Sequence, residues 1–356
     1  MPLTYFQPSQ VDSSFNGYLR NRIINGAMMI DQRNSGASIS ITGSAAFPVD
    51  RWFGINSTDG TMTGRQSAVV PASGYKNSVV FTTGTADASL AATQFAVVGQ
   101  SIEGLNVSDL NWGSATASTV TLSFWVRSSL TGTFGGSVRN SAADRSYPFS
   151  YTITGANAWE QKFITIPGDT SGTWLTTNGI GISVFFGMGV GSTYSGPAGV
   201  WAGTNYLSVT GATSVIGTAG ATFYITGVQL EDGAVATPFE RRMYPQELAM
   251  CQRYYAKTYN TETTPGTATT TGYIITTTNA SGWAYVTWNF AVAMRASPTI
   301  TAYNHSTGAT GTWQDGGGTA RAVTVVGAGS SNVSFGSTAS NLNSWLAGHA
   351  IASAEL

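Results

Sequence analysis

Charge is what this sequence has least of. Asp, Glu, Lys and Arg make up 9% of its 356 residues, against about 25% in an ordinary soluble domain. They almost cancel, to a net −1. Without a basic stripe the chain cannot assemble the phosphate contacts that nucleic acid demands, so nucleic acid is excluded as a partner. A single cysteine, Cys251, excludes an intrachain disulfide and any cysteine-built metal cage. The two histidines, His305 and His349, are too few for a zinc site unless carboxylates are recruited from elsewhere. Apolar runs stay far short of the ~20 residues of a membrane helix, so no membrane insertion is expected. The opening MPLTYFQPSQ has neither the cationic stretch nor the apolar core of a secretory signal. Around Gly187-Met188-Gly189 no lysine follows at phosphate-loop spacing, and no cofactor is expected.

Thr, Ser, Asn and 43 glycines take the place of the missing charge. That suits strands and tight turns far better than solvent-facing helices. Alternation with period two supports this. Val120, Leu122, Phe124 and Val126 share one face, Ile180, Ile182, Val184 and Phe186 another, and every even position from Ala284 to Met294 is apolar. Weaker strand candidates fall at 23–30, 49–56, 78–83, 95–102, 147–153, 161–166, 221–230, 273–277, 299–303, 322–326 and 333–336. One segment breaks the pattern. Pro245 at a first helical position, Glu247 in the first turn, and Leu248, Cys251, Gln252 and Tyr255 at helical spacing predict a helix over 245–257. The fold class expected is all-β: a jelly-roll β-sandwich followed by a short helix and a smaller C-terminal β-sandwich domain. The expected layout is an N-terminal arm over 1–20, a jelly roll over 21–242, a helical connector and linker over 243–266, and a C-terminal β domain over 267–356.

Several strings resemble those of bacteriophage tail-fibre and virion adsorption proteins. They are Asn21-Arg22-Ile23-Ile24-Asn25-Gly26 continuing to Met29-Ile30-Asp31-Gln32-Arg33; Asp50-Arg51-Trp52; and Gln100-Ser101-Ile102-Glu103-Gly104 with Leu122-Ser123-Phe124-Trp125-Val126. Further on come Thr226-Gly227-Val228-Gln229-Leu230-Glu231, Thr237-Pro238-Phe239-Glu240-Arg241-Arg242, Cys251-Gln252-Arg253-Tyr254-Tyr255, Met294-Arg295-Ala296-Ser297-Pro298-Thr299 and Ala354-Glu355-Leu356. The resemblance implies a jelly roll similar to carbohydrate-binding modules within a homotrimeric virion component. It carries no transferable catalytic residue. The partners implied are other copies of the chain, other virion proteins and a host-surface polysaccharide, and the location implied is the virion, after synthesis in the host cytoplasm. A capsid decoration or head-spike role is the alternative, and a glycan depolymerase the second.

Glycan recognition needs aromatic planes beside amides, hydroxyls or single charges. In the C-terminal domain these meet at Tyr303 and His305, at Trp313 and Asp315, and at Trp345, which are the candidate sugar-binding residues. Trp112, Trp174, Trp201 and Trp283 also lie in or beside polar loops. Cleavage of a glycan would need a carboxylate pair. Glu103, Asp109, Asp144, Glu160 and Asp169 are the candidates, with a structural role weighed as the better reading, so no enzyme is expected. Leu248, Cys251 and Tyr255 are the candidate three-fold contacts of the helix. Tyr5, Phe6, Phe15 and Tyr18 are the candidate virion anchor, in a segment kept extended by Pro2 and Pro8.

Overall fold

The computed structural model describes residues 20–71, 74–338 and 344–356. The anchor candidates Tyr5, Phe6, Phe15 and Tyr18 lie outside them. Two six-stranded antiparallel sheets form the larger body. Sheet I runs β1 (Ile39–Ile41), β4 (Met62–Ser67), β5 (Ser78–Thr83), β14 (Thr222–Asp232), β7 (Val120–Ser128), β10 (Glu160–Ile166). Sheet II runs β2 (Ala46–Val49), β3 (Trp52–Asn56), β6 (Phe95–Glu103), β11 (Ile180–Val190), β8 (Gly132–Arg139), β9 (Ser146–Ile153). The chain crosses repeatedly between the sheets, singly or after the hairpins β2–β3, β4–β5 and β8–β9, which is the jelly-roll solution to burying two apolar faces against each other. The alternating residues do this. Phe81, Leu122, Phe124 and Phe223 of sheet I meet Trp52, Phe134, Val184 and Phe186 of sheet II in one buried core. A short parallel bridge joins β12 (Ser195–Gly196) to β13 (Ser208–Val209).

The C-terminal part is organised around β23 (Trp345–Ser353). One edge of β23 pairs with β15 (Tyr255–Lys257) and β16 (Ile274–Thr277). The other pairs with β18 (Thr299–Asn304) and β19 (Thr312–Asp315), and β20 (Ala320–Ala322) continues beyond β19. A second sheet of β17 (Trp283–Asn289), β22 (Asn332–Thr338) and β21 (Thr324–Ala328) packs against it through Ala284, Val333 and Phe335.

Three expectations need correction. Residues 23–30 are not a strand but an irregular, buried crossing, held by side chains where ladder bonds would be. Asn25 donates to the carbonyls of Ile30 and Asp50, and Gln100 bonds both backbone groups of Ile24. The helix is α1 (Tyr244–Gln252), shorter than 245–257, because Tyr255 already pairs with Ser353 in β15. Its contacts are with its own chain. Cys251 is fully buried with Ile24, Ile30 and Tyr254, Leu248 packs on the same cluster, and Tyr255 is 3% exposed under the Arg33 guanidinium. Cys251 and Tyr255 therefore present no face to a three-fold axis.

The two bodies are joined by a polar seam. Glu103, 1% exposed at the end of β6, accepts from Arg253 Nε and Nη2 at 2.8 and 2.5 Å and from the Tyr254 hydroxyl at 2.8 Å. Glu355 accepts from Arg51 and Arg33. Arg51, 2% exposed, also donates to the Ser101 carbonyl and lies over the Tyr254 ring. Removing one partner of such a pair leaves a buried charge uncompensated, which costs about 3–5 kcal/mol. Glu355→Ala is expected to lower the melting temperature by several degrees, with Glu355→Gln between it and the parent. Equal melting of all three in calorimetry would show the pair to be unimportant.

Asp50 sits under this seam with no exposed surface. Burial pushes its carboxyl from 3.8 up to about 6, against the lowering pull of Arg33 and of the Gln32 bonds. The folded pKa is raised, so its contribution to stability is complete below the unfolded pKa and is lost as pH rises through about 6. Relative to Asp50→Asn, the parent should gain melting temperature between pH 7 and pH 5. A difference that does not change over that range would contradict the assignment.

Candidate functional site

Of the five sugar-binding candidates, the structure takes three into the interior. Trp313 is 1% exposed, its ring lies flat on Gly348 of β23 and beside Phe335, and its Nε1 donates to the His349 carbonyl at 3.1 Å. Asp315 is fully buried. It accepts from the Gly317 and Thr319 amides and from Arg321 Nε at 2.7 Å, closing the turn between β19 and β20. Neither can meet a ligand, which corrects the expectation that they sit on a surface turn. His305 is 8% exposed, bonded to the Ala347 carbonyl and stacked on Tyr273. Tyr303 is half-buried against Tyr259. Trp345 stands 5.8 Å from His305 and is 37% exposed.

Three loop tryptophans of the larger body are structural. Trp112, Trp174 and Trp201 pack mutually edge to face, with centroids 4.7, 5.4 and 5.6 Å apart. Each indole N–H has a partner, at the Ser118 carbonyl, at Asp169 and at the Pro167 carbonyl respectively. The carboxylates are likewise engaged. Asp169 holds Arg145 through two bonds, Glu160 holds Lys162 and three donors of Thr154 and Gly155, Asp109 holds Arg22, and Asp144 accepts from Asn140.

The outer face of sheet II carries a second apolar cluster, largely covered by the chain that follows β11. Residues pointing away from the sandwich core form an apolar surface of their own, with Phe53, Val97, Phe185 and Leu207 at its centre and Ile55, Phe95 and Tyr194 around them. Gly99 shapes it. A Cβ there would sit 3.0 Å from the Phe185 ring and 3.2 Å from Phe53, so glycine lets those rings meet at 6.0 Å. The chain after β11 folds back across the sheet. The Leu207 amide donates to the Tyr194 carbonyl, and Ser208 lies where a Cβ on Gly135 or Gly187 would intrude. Between this flap and the strands lies an open depression of about 160 Å³, lined by Ile55, Phe95, Val97, Phe185, Tyr194, Leu207, Arg139 and Asn205.

Arg139 gives the depression its chemistry. Its guanidinium lies 4.8 Å from the Phe185 centroid, and Nη1 donates to Asn205 Oδ1 at 2.6 Å. Among the described residues its Nε is buried without a hydrogen-bond partner, as are those of Arg22, Arg33, Arg51 and Arg242. Burial pulls the Arg139 pKa down, yet a guanidinium stays protonated, so a desolvated donor faces an aromatic surface. No lining residue carries a carboxylate. Sequence reasoning missed this site because its aromatics sit at ordinary strand positions and its cation is a lone Arg at the end of β8. The signal that could have found them is the apolar character of both faces of β3, β6 and β11, where a strand covered on one side only would be polar on the other.

No family model matches the chain, and no curated protein matches it by sequence. Solved structures match over the larger part of it. The enzymatically active domain of bacteriophage CBA120 tailspike protein 4 is 12% identical, with 60% of this chain and 22% of that chain covered and a TM-score of 0.33. The family 11 carbohydrate-binding module of a Clostridium thermocellum cellulosomal cellulase is 12% identical, with 57% and 99% covered and a TM-score of 0.28. The N-terminal cellulose-binding domain of Cellulomonas fimi β-1,4-glucanase C is 14% identical, with 56% and 100% covered and a TM-score of 0.27. The chain thus spans about a fifth of the tailspike structure and essentially the whole of the two modules.

Because Trp313 is a core residue, Trp313→Ala should cost stability, about 3–5 kcal/mol for an indole deleted from a packed interior. A variant that melts like the parent would return Trp313 to the surface.

Proposed function

We propose that the chain is a non-catalytic glycan-recognition subunit of a bacteriophage particle, with a sugar site in the depression on sheet II. The observation that carries the reading is Arg139. Bonded to Asn205, its guanidinium borders a surface of Phe95, Phe185 and Tyr194. Aromatic faces accept the C–H face of a pyranose, and an amide with one fixed donor set orients its hydroxyls. A groove without carboxylates favours retention over cleavage, since glycoside hydrolysis requires a pair of them. Assignment to a phage particle, as a homotrimeric tail-fibre or receptor-binding subunit, rests on the strings from Asn21 to Leu356 described above. A trimer would draw on surfaces other than Cys251 and Tyr255.

The test is calorimetric titration of the full chain with neutral oligosaccharides chosen from a glycan array. Losing one stacking or bonding group of about 1–3 kcal/mol weakens a monovalent contact about 5- to 100-fold. Phe95→Ala and Arg139→Ala are each expected to do so while still melting cooperatively. If both bind every array ligand as the parent does, the depression is not the sugar site.

A further inference from the structure

On the smaller body, β17 turns Trp283, Tyr285, Thr287 and Asn289 to solvent, while Ala284, Val286 and Trp288 face inward. Trp283 and Tyr285 are 47% and 60% exposed. Their rings are parallel within 7°, with centroids 6.1 Å apart. Two large aromatics left to water on one strand face are unusual unless they serve as a contact surface. The strand beside them explains the flat setting. Gly336 of β22 is the register partner of Tyr285, and a Cβ there would lie 3.2 Å from the Tyr285 ring and 2.9 Å from Val326. Glycine lets the tyrosine ring lie across the sheet, bounded on its far side by Val326.

The rest of the face is neutral and hydroxylated. Thr287 and Ser334 form a hydroxyl pair at 3.0 Å, Thr276 donates to the Tyr285 carbonyl, and Thr324 is exposed. None of β17, β21 and β22 contains a charged residue. A charged partner would find nothing to pair with here, and a neutral one loses nothing on desolvating the face.

We propose that Trp283 and Tyr285 form a second, independent sugar site: a flat platform for adjacent pyranose units of a neutral, unbranched polysaccharide. The parallel rings, with centroids 6.1 Å apart, offer two aromatic faces of one orientation in sequence along a strand. The threonine and serine hydroxyls at their edge meet the hydroxyls of the sugar rims. The ligand class is one whose rings present C–H faces and no charge. The platform lies on a different sheet from the depression holding Arg139, so either site can fail without the other.

The experiment uses the full chain carrying Arg139→Ala, which silences the depression, titrated with cellohexaose and with chitohexaose by calorimetry. Binding of at least one probe is expected, weakened roughly tenfold by Trp283→Ala and by Tyr285→Ala, and largely retained by Tyr285→Phe, which keeps the ring. Gly336→Ala, which lifts the ring without removing it, is expected to weaken binding as well. Absence of binding to both probes, or binding unchanged by Trp283→Ala and Tyr285→Ala, overturns the proposal. Sedimentation of the same variants separates the competing occupant. If the aromatic substitutions dissociate an oligomer and leave sugar binding intact, the face is an interface between copies and the platform is refuted.

Discussion

Two buried carboxylates decide how this protein is put together. Glu103 ends the strand that forms the middle of sheet II, and Glu355 lies just beyond the central strand of the smaller body. Each is met by residues from the other side. Arg253 and Tyr254 come to Glu103 from the end of α1, and Arg51 and Arg33 come to Glu355 from the jelly roll. In a chain with so few charges, concentrating them at one seam is a choice with consequences. Each ion is costly to bury alone and specific when paired, so the seam fixes one relative placement of the two bodies and penalises others. Gln32 extends it, donating to both Asp50 and the Tyr255 carbonyl. The Lys257 ammonium is likewise held by the carbonyls of Gln32, Thr261 and Thr263.

The seam also determines which part of sheet II is open. Along the outer face of β6, Glu103 and Ser101 lie under α1 and Arg51, while Gly99, Val97 and Phe95 lie beyond them. The covered half is polar and fully bonded. The other half is apolar and aromatic, and the flap from Tyr194 to Leu207 covers most of it, leaving only the depression at its edge. A sheet face that is apolar on both sides must be covered or used. Here the first part is covered by the protein's own C-terminal residues and the second by the flap, except at the depression.

How much of this could be read from sequence depends on what each residue was asked to do. Strands built from β-branched and aromatic residues were legible, whether one face is packed or both. Residues 78–83, 95–102 and 147–153 agree with β5, β6 and β9 to within a residue. The central strand β23 was not, because its residues, Leu-Ala-Gly-His-Ala-Ile-Ala, are mostly small. Gly348 must leave room for the Trp313 ring, and His349 is buried with both ring nitrogens bonded. Small residues carry no alternation to detect. The same fact hid Trp313, since its cover is a glycine on a strand that propensity does not favour. The strings that resemble tail-fibre proteins turn out to be largely seam and crossing. Asn25, Gln32, Asp50, Arg51, Glu103, Tyr254 and Glu355 are all bonded to one another or to the same carbonyls. They report the architecture and say little about the ligand, so a site built from Phe95, Arg139 and Asn205 could not be reached through them.

That division bears on how recognition and scaffold are separated in the chain. Every ion pair among the residues of the seam is shielded from solvent on at least one side, whereas the depression and the Trp283–Tyr285 face hold one cation between them, Arg139. Contacts made by such surfaces depend on stacking and on hydrogen bonds to neutral groups, which salt screens little. Each is weak alone. Their combined strength depends on the geometry between them, because linked sites gain only when both can be engaged at once. A flexible tether would spread that geometry over many distances. The seam does the opposite: α1 is followed at once by β15, with Arg253 and Tyr254 bonded to Glu103 in the interval. The buried charges that make the fold expensive to assemble are therefore also what holds the two aromatic surfaces at one separation.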